Sequence, residues 1–215
     1  MGLFRILLIL IYVIGLQINE EILMKNNSKF EVGKLIYLCV QKCLLISILV
    51  QACMPIYGVD FSTFKIHLRG LGPIHINDTL FQIEKKLSAK LVGGKENDYN
   101  GQECHFYTVP GLSGISLMFI GKTKDLRLSR IYISNSTFQT LSGIKINSDM
   151  TSILSTYKNN IKREKEHYTG DTMLVFEPKD FYDKDFRMIF LTNNKKVTGI
   201  SVGRIPEIFA VEGCD

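Results

Sequence analysis

Ser62-Thr-Phe-Lys65 has the S-x-x-K spacing of a nucleophile motif, in which a lysine amine takes the proton of a nearby serine hydroxyl. The spacing returns at Ser155-Thr-Tyr-Lys158, which shows how readily it arises, and the first copy sits in a linker without the helix that such chemistry needs, so no catalytic residue is assigned. The histidines are His67, His75, His105 and His167, with no H-E-x-x-H pair among them. His105 and His167 each precede an aromatic residue. They are read as partly exposed strand histidines, and a shared metal or ligand site is the sharper alternative. Asp180-Phe-Tyr-Asp183-Lys-Asp185 groups carboxylates as a calcium loop does, but it lacks the glycine, spacing and terminal glutamate of an EF-hand. It is read as a solvated hairpin loop. Gly93-Gly94-Lys95 lacks the Ser or Thr that completes a phosphate loop and is read as a turn after a helix. Asn77-Asp-Thr79 and Asn135-Ser-Thr137 match glycosylation sequons, which would matter only in a eukaryotic chain, and Asn77 is better explained as a helix-entry residue. No metal site and no cofactor is expected.

The elements that would carry these residues are ordered twice over. Ile74-His-Ile76-Asn77-Asp78 is echoed by Ile144-Lys-Ile146-Asn147-Ser148, an offset of 70. After each, three residues fall on one helix face: Leu80, Ile83 and Leu87, then Met150, Ile153 and Tyr157. Asn77 and Asp78, or Asn147, Ser148 and Asp149, supply oxygens for the helix N-termini. Strands follow, predicted at Cys104–Val109, Gly114–Ile120 and Leu126–Ser134, then at Glu166–Tyr168, Met173–Glu177, Phe186–Thr192 and Val197–Gly203. The basic run from Lys158 to Lys165 is read as the solvated end of the second helix. These patterns predict an α+β domain of two tandem repeats, about 66–135 and 136–215, each a helix followed by an antiparallel meander.

Alternation along the strands places Ile115, Leu117, Phe119, Ile131, Ile133, Ile200 and Val202 beneath helices on one face of the sheet. His105, Tyr107, Met118, Arg130, Tyr132 and Arg187 are assigned to the other, open face. Of these, His105, Tyr107, Arg130, Tyr132 and Arg187 form the candidate binding surface, because exposed Tyr and Arg on a rigid sheet are common interface anchors.

The first 58 residues differ in character. Apolar runs at Leu3–Leu16 and Leu44–Val50 fall short of the roughly 18–20 residues of a membrane span. Basic residues lead into an apolar core and then small side chains, the order of a secretory signal peptide. Met24 is an alternative start, since the segment after it is a complete signal. Val50-Gln-Ala-Cys53 resembles a lipobox, in which Cys53 would be lipidated; ordinary cleavage near Gly58 is the other route. The mature domain is 59–215, and its two cysteines, Cys104 and Cys214, are expected to form a disulfide in an oxidising compartment. The domain holds 21 of the 26 Lys+Arg and 18 of the 21 Asp+Glu, interspersed rather than on one stripe, so no nucleic-acid partner is expected.

The short strand, polar turn, helix and meander resemble the SmpA/OmlA-like unit of bacterial envelope lipoproteins, and the doubling of that unit resembles the BLIP-like fold. The ending, Val197-Thr-Gly-Ile-Ser-Val-Gly-Arg204-Ile-Pro206-Glu207 … Val211-Glu-Gly-Cys214, is similar to that of a family of uncharacterised exported proteobacterial proteins. In that unit a glycine often precedes the helix. Asn77 and Asn147 stand there instead, and Asn tolerates the left-handed conformation. The resemblance spans about 65–215 and implies an envelope location and a binding role, with no catalytic residue to transfer. The expected function is therefore that of an exported, periplasmic or extracellular, non-enzymatic protein that binds an unknown protein or peptide across its open sheet. Membrane contact would come only through the signal or a lipid anchor. The alternatives are a binder of cell-wall glycan or a small molecule in a cleft between the repeats, and a hydrolase that no motif reveals.

Overall fold

Two short helices arise where apolar residues recur at helical spacing behind a polar turn. The computed structural model describes residues 39, 40, 42, 43, 59–99, 101–122, 125–211, 213 and 214, with residues 95–99 as backbone only. Helix α1 is Leu80–Leu87. Its cap is Thr79, one residue later than the expected asparagine and aspartate: Thr79 Oγ1 accepts from the Gln82 N–H (3.2 Å) and Gln82 Oε1 accepts from the Thr79 N–H (2.8 Å). Helix α2 is Met150–Tyr157, entered from Asp149. Asn77 (φ 78°) and Asn147 (φ 70°) take the left-handed turn before each helix. Asp78 and Ser148 brace that turn, accepting from the N–H groups of His75 and Lys145.

The chain divides into two units, Met1–Tyr57 and Gly58–Asp215, and the elements named here belong to the second. Met24, Cys53 and the cleavage region near Gly58 lie outside the described residues. Among the described residues no helix is long and apolar enough to cross a membrane.

Four short strands, β1 (Lys65–His67), β2 (Gly70–Leu71), β3 (Ile74–His75) and β8 (Gln139–Thr140), make a small sheet in the order β3-β2-β1-β8. The main sheet has eight antiparallel strands. They are β4 (Val92–Tyr99), β5 (Gln102–Thr108), β6 (Ile115–Gly121), β7 (Arg127–Ile133), β9 (Ile161–Lys165), β10 (Thr172–Phe176), β11 (Phe186–Asn193) and β12 (Lys196–Arg204). Their order is β4-β5-β6-β7-β12-β11-β10-β9. The result is an α+β arrangement dominated by antiparallel strand.

Each helix-entry turn is stitched to the sheet by a matched pair of backbone bonds. Asn77 N–H donates to Leu128 O (2.7 Å) and Leu128 N–H to Asp78 O (2.9 Å); Asn147 N–H donates to Val197 O (2.8 Å) and Val197 N–H to Ser148 O (3.0 Å). On the first sheet face, Ile115, Leu117, Phe119, Ile131, Ile133, Ile200 and Val202 are buried in one cluster with Ile83, Leu87 and Ile153 of the helices.

Three local expectations are corrected. Residues 161–165 are strand β9, not a helix end. Helix α2 stops at Tyr157, Lys158 turns to φ 42°, and the chain then lies against β10 as a charged edge strand of a kind that discourages further pairing. Glu166–Tyr168 is the turn beyond that strand. Gly93 and Gly94 lie within β4 beside a register shift, not at a helix end, which Ser88 (φ 50°) closes instead.

The second face is not open. After β12 the tail, residues 205–214, runs back across it. Ile208 packs with Val175 and Ile189, and Cys214 is disulfide-bonded to Cys104 among Met118 and Ile120. Two glycines allow the close approach. A Cβ on Gly203 would lie 2.6 Å from Ser129 O and 3.2 Å from Ile208 Cδ1. Gly213, at φ 74°, would place one 2.6 Å from the Phe106 ring.

Candidate functional site

The sheet register sends His105 and Tyr107 to the helix-covered face, against the sequence assignment. They stand opposite Phe119 and Leu117, and the Tyr107 ring meets Phe119 edge-on at 5.3 Å. Cys104 and Phe106 are the β5 residues that face the tail. The alternation within β5 was read correctly, but its phase against β6 was one residue out, which exchanges the faces of the whole strand. His105 is only 7% exposed, with Nδ1 3.3 Å from the Gly94 carbonyl and Nε2 3.6 Å from Glu103.

Arg130, Tyr132 and Arg187 do lie on the second face, yet not as an exposed row. Arg130 is 1% exposed. Its Nη1 donates to the carbonyls of Ala210 (2.7 Å) and Ile208 (3.3 Å), and its guanidinium lies 4.4 Å from the centre of the Tyr132 ring. Arg187 Nη1 donates to the carbonyls of Lys184 and Phe186, and its Nε is 3.5 Å from Glu177. Both guanidinium groups hold backbone. Of the five, the half-buried Tyr132 and the buried Arg130 border accessible space on this face.

That space is a groove of about 340 Å³. The tail from Ile208 to Val211 forms one wall and the turn from Glu164 to His167 the other. Between them lie Tyr132 and Ser201, which are cross-strand neighbours on β7 and β12, and the apolar side chains of Met173, Ile189 and Leu191. Ser201 is 4% exposed, and among the described residues its hydroxyl makes no hydrogen bond.

Some of the charges around this groove are already engaged, whereas Lys165, exposed in its lining, makes no ion pair among the described residues. Lys162 sits 2.7 Å from Glu164, whose hydrogen bond and charge raise the ammonium above the usual lysine value. The Glu166 carboxylate accepts from the Thr169 N–H (2.6 Å), the Thr169 hydroxyl and the Tyr168 N–H, which together hold it below the usual carboxylate range. Ser201 has no acid or base hydrogen-bonded to it among the described residues.

The remaining sequence candidates are structural. The Ser62 hydroxyl donates to Asp60 Oδ1 (2.6 Å) in an exposed turn, and Ser155 donates to the Ser152 carbonyl on α2. Asp180 caps the turn at Tyr182, and Asp183 pairs with Arg69 at 2.7 Å. His167 is exposed at the groove rim, far in register from His105, so the two imidazoles share no site. Among the described residues there is no group of three or more side chains able to hold a metal ion.

Ser201, Met173, Ile189, Leu191 and Ile208 were not singled out from the sequence. A signal existed. Leu117-Met-Phe-Ile120 and Met188-Ile-Phe-Leu191 are unbroken apolar runs, the mark of strands covered on both faces.

No family model matches the chain, and no curated protein matches it. Among solved structures it is similar to that titled the crystal structure of the uncharacterized protein yfeY from Escherichia coli. The two are 18% identical with a TM-score of 0.44, and the match covers 65% of this chain and 99% of that one.

Proposed function

We propose that this chain is an exported, non-enzymatic binding protein that holds a small ligand in the groove beneath its C-terminal tail. The observation that carries the reading is a cavity of about 340 Å³ lined on one side by Met173, Ile189, Leu191 and Ile208 and on the other by charged and polar side chains from Glu164 to His167, with Ser201 between them. That volume lies near the lower end of the roughly 300–1,000 Å³ typical of small-molecule sites. The flat Tyr/Arg face needed for protein binding across an open sheet is missing, because the tail occupies it. Among the described residues the hydroxyls of Ser62, Ser155 and Ser201 have no base hydrogen-bonded to them that would support hydrolysis, Ser62 donating to Asp60 in an exposed turn. Export to the periplasm or beyond accords with the signal-like N-terminus and the Cys104–Cys214 disulfide, and lipid attachment at Cys53 is its membrane-held variant.

The test is the thermal shift of the purified chain against a compound set that includes cell-wall glycan fragments. A ligand of the groove raises the melting temperature by mass action, and Leu191→Arg, at the groove floor, removes that response. A variant that still responds to the same compounds places the ligand elsewhere.

The fold is further proposed to be an internal duplication of the SmpA/OmlA-like kind. Its support is that Asn77/Asp78 bond Leu128 as Asn147/Ser148 bond Val197, at the sequence offsets of 70 and 69.

A second reading keeps a protein partner but moves it to Phe181 and Tyr182, which are 71% and 82% exposed. Arg69 fixes their loop through the Tyr182 carbonyl (2.8 Å) and Asp183, so the two rings are presented without a large ordering cost on binding.

A further inference from the structure

We infer that the outer edge of β9 takes an extended, acidic segment of a protein partner as an added strand of the main sheet. This interaction is independent of the groove reading above.

The backbone supplies the site. β9 is the last strand of its sheet and pairs only with β10 among the described strands. Its hydrogen-bond phase is fixed at both ends: Glu166 N–H donates to Asp171 O (2.8 Å) and Glu177 N–H to Asn160 O (2.8 Å). Bonded pairs in an antiparallel ladder recur at every second residue, so Lys162 and Glu164 also turn their backbone to β10. The N–H and C=O groups of Ile161, Arg163 and Lys165 therefore point out from the edge, where a further strand can bond to them. The turn beyond β9 is already closed by the Glu166 carboxylate, which accepts from the N–H groups of Tyr168 and Thr169, so little ordering is left for the binding step.

The side chains set the sign of the partner. Opposite Val175 and Met173, on the second face, Lys162 and Glu164 neutralise each other at 2.7 Å. On the other face, opposite Leu174 and Thr172, Arg163 and Lys165 are exposed and make no ion pair among the described residues. A strand bonded to this edge sets its own residues directly opposite those two cations, so carboxylates two residues apart are attracted and lysines are repelled. Ile161, on the same face and packed against the core, favours an apolar residue two positions further on. A second copy of β9 does not fit, because antiparallel pairing about Arg163 sets two guanidinium groups opposite each other. The charges that keep like edges apart thus admit a strand of the opposite sign.

The test titrates acetyl-Thr-Glu-Thr-Glu-Thr-Val-Thr-amide into the oxidised full chain, with the backbone amides followed by NMR. Bound antiparallel, its glutamates fall opposite Lys165 and Arg163 and its valine opposite Ile161. The amides of Ile161, Arg163 and Lys165 should shift saturably and gain protection from hydrogen exchange, while those of Lys162 and Glu164, already bonded to β10, should change little. N-methylation of the two glutamates, whose N–H groups face β9, should abolish binding, and N-methylation of the threonine between them should not. The peptide with lysine in place of glutamate should bind at least about tenfold more weakly, and Arg163→Glu with Lys165→Glu should reverse that preference. Equal binding of the acidic and basic peptides, indifference to which amides are methylated, or no saturable shift on β9 would overturn the inference. Shifts confined to Tyr132, Ser201 and Leu191 would overturn it too and leave the groove reading standing.

Discussion

Replacing both disulfide cysteines, Cys104→Ser with Cys214→Ser, should release the tail before it unfolds the sheet. The bond closes a loop of 110 residues, for which the chain-entropy model gives about 5 kcal/mol, with measured removals of native disulfides mostly at about 2–5 kcal/mol. Without it the tail must hold itself. Burying Ile208 contributes about 1.5–3 kcal/mol, and the bonds from Arg130 to the tail carbonyls about 1.5–3 kcal/mol. Ordering residues 205–214 costs about 10 kcal/mol, at about 1 kcal/mol per residue. The deficit of roughly 4–7 kcal/mol is close to what the disulfide supplies, so without the bond the tail should detach. Removals of native disulfides set the loss expected by urea unfolding of the double variant at about 2–5 kcal/mol. Native-state hydrogen exchange should show the amides of 207–211 losing most of their protection while β6 and β7 keep theirs. The groove loses a wall in the same step, so its ligand response disappears. A double variant that loses under about 1 kcal/mol and keeps its tail amides protected would refute the reasoning, since the tail would then be held by contacts alone.

Thr79→Ala removes the capping box of α1 and should cost about 1 kcal/mol by urea unfolding, whereas Asp149→Ala should cost less, because Asp149 makes no side-chain cap bond. Burial holds His67 below the usual histidine value, with the Gly72 carbonyl opposing and His75 adding a little in the same direction. The folded state then binds fewer protons than the unfolded one, so stability declines as the pH falls through about 6.5 toward the lowered folded value. His67→Gln should flatten that part of a stability-against-pH curve, and an unchanged slope would remove His67 as its source.

What could be read from the sequence followed from periodicity strong enough to survive local error. The helix faces at Leu80, Ile83 and Leu87 and at Met150 and Ile153, and the inward rows on β6, β7 and β12, appear where alternation placed them. The left-handed Asn77 and Asn147 were also legible, because few residue types occupy that conformation. Strand β4 and the charged β9 were not, since Gly, Asn, Asp and Lys carry little β signal and the edge pairing that selects them is a tertiary effect. The phase of β5 was lost for a related reason. His105 and Tyr107 alternate with Cys104 and Phe106, all of them amphipathic or apolar, so hydrophobicity alone could not say which pair faced the helices.

The position of the groove follows from which part of the second face the tail covers. The apolar runs on β6 and β11 demand a cover on both sides, and the segment after β12 covers them at two places. At one end Cys214 is bound to Cys104, where Met118, Ile120 and Phe106 are covered. At the other Ile208 settles over Val175 and Ile189. Arg130 holds the stretch between them by its carbonyls. A single short segment fixed in this way, coiled into a 3-10 turn at Glu207–Phe209, leaves uncovered the ground toward β9. There Met173 and Leu191 are left half-buried, with Ser201 beside them lacking a bonded neighbour among the described residues. The groove is thus the edge of an incomplete cover. Lengthening the cover should close it: an apolar side chain larger than alanine at 210, as in Ala210→Leu, should reduce ligand response while leaving the disulfide and the sheet intact.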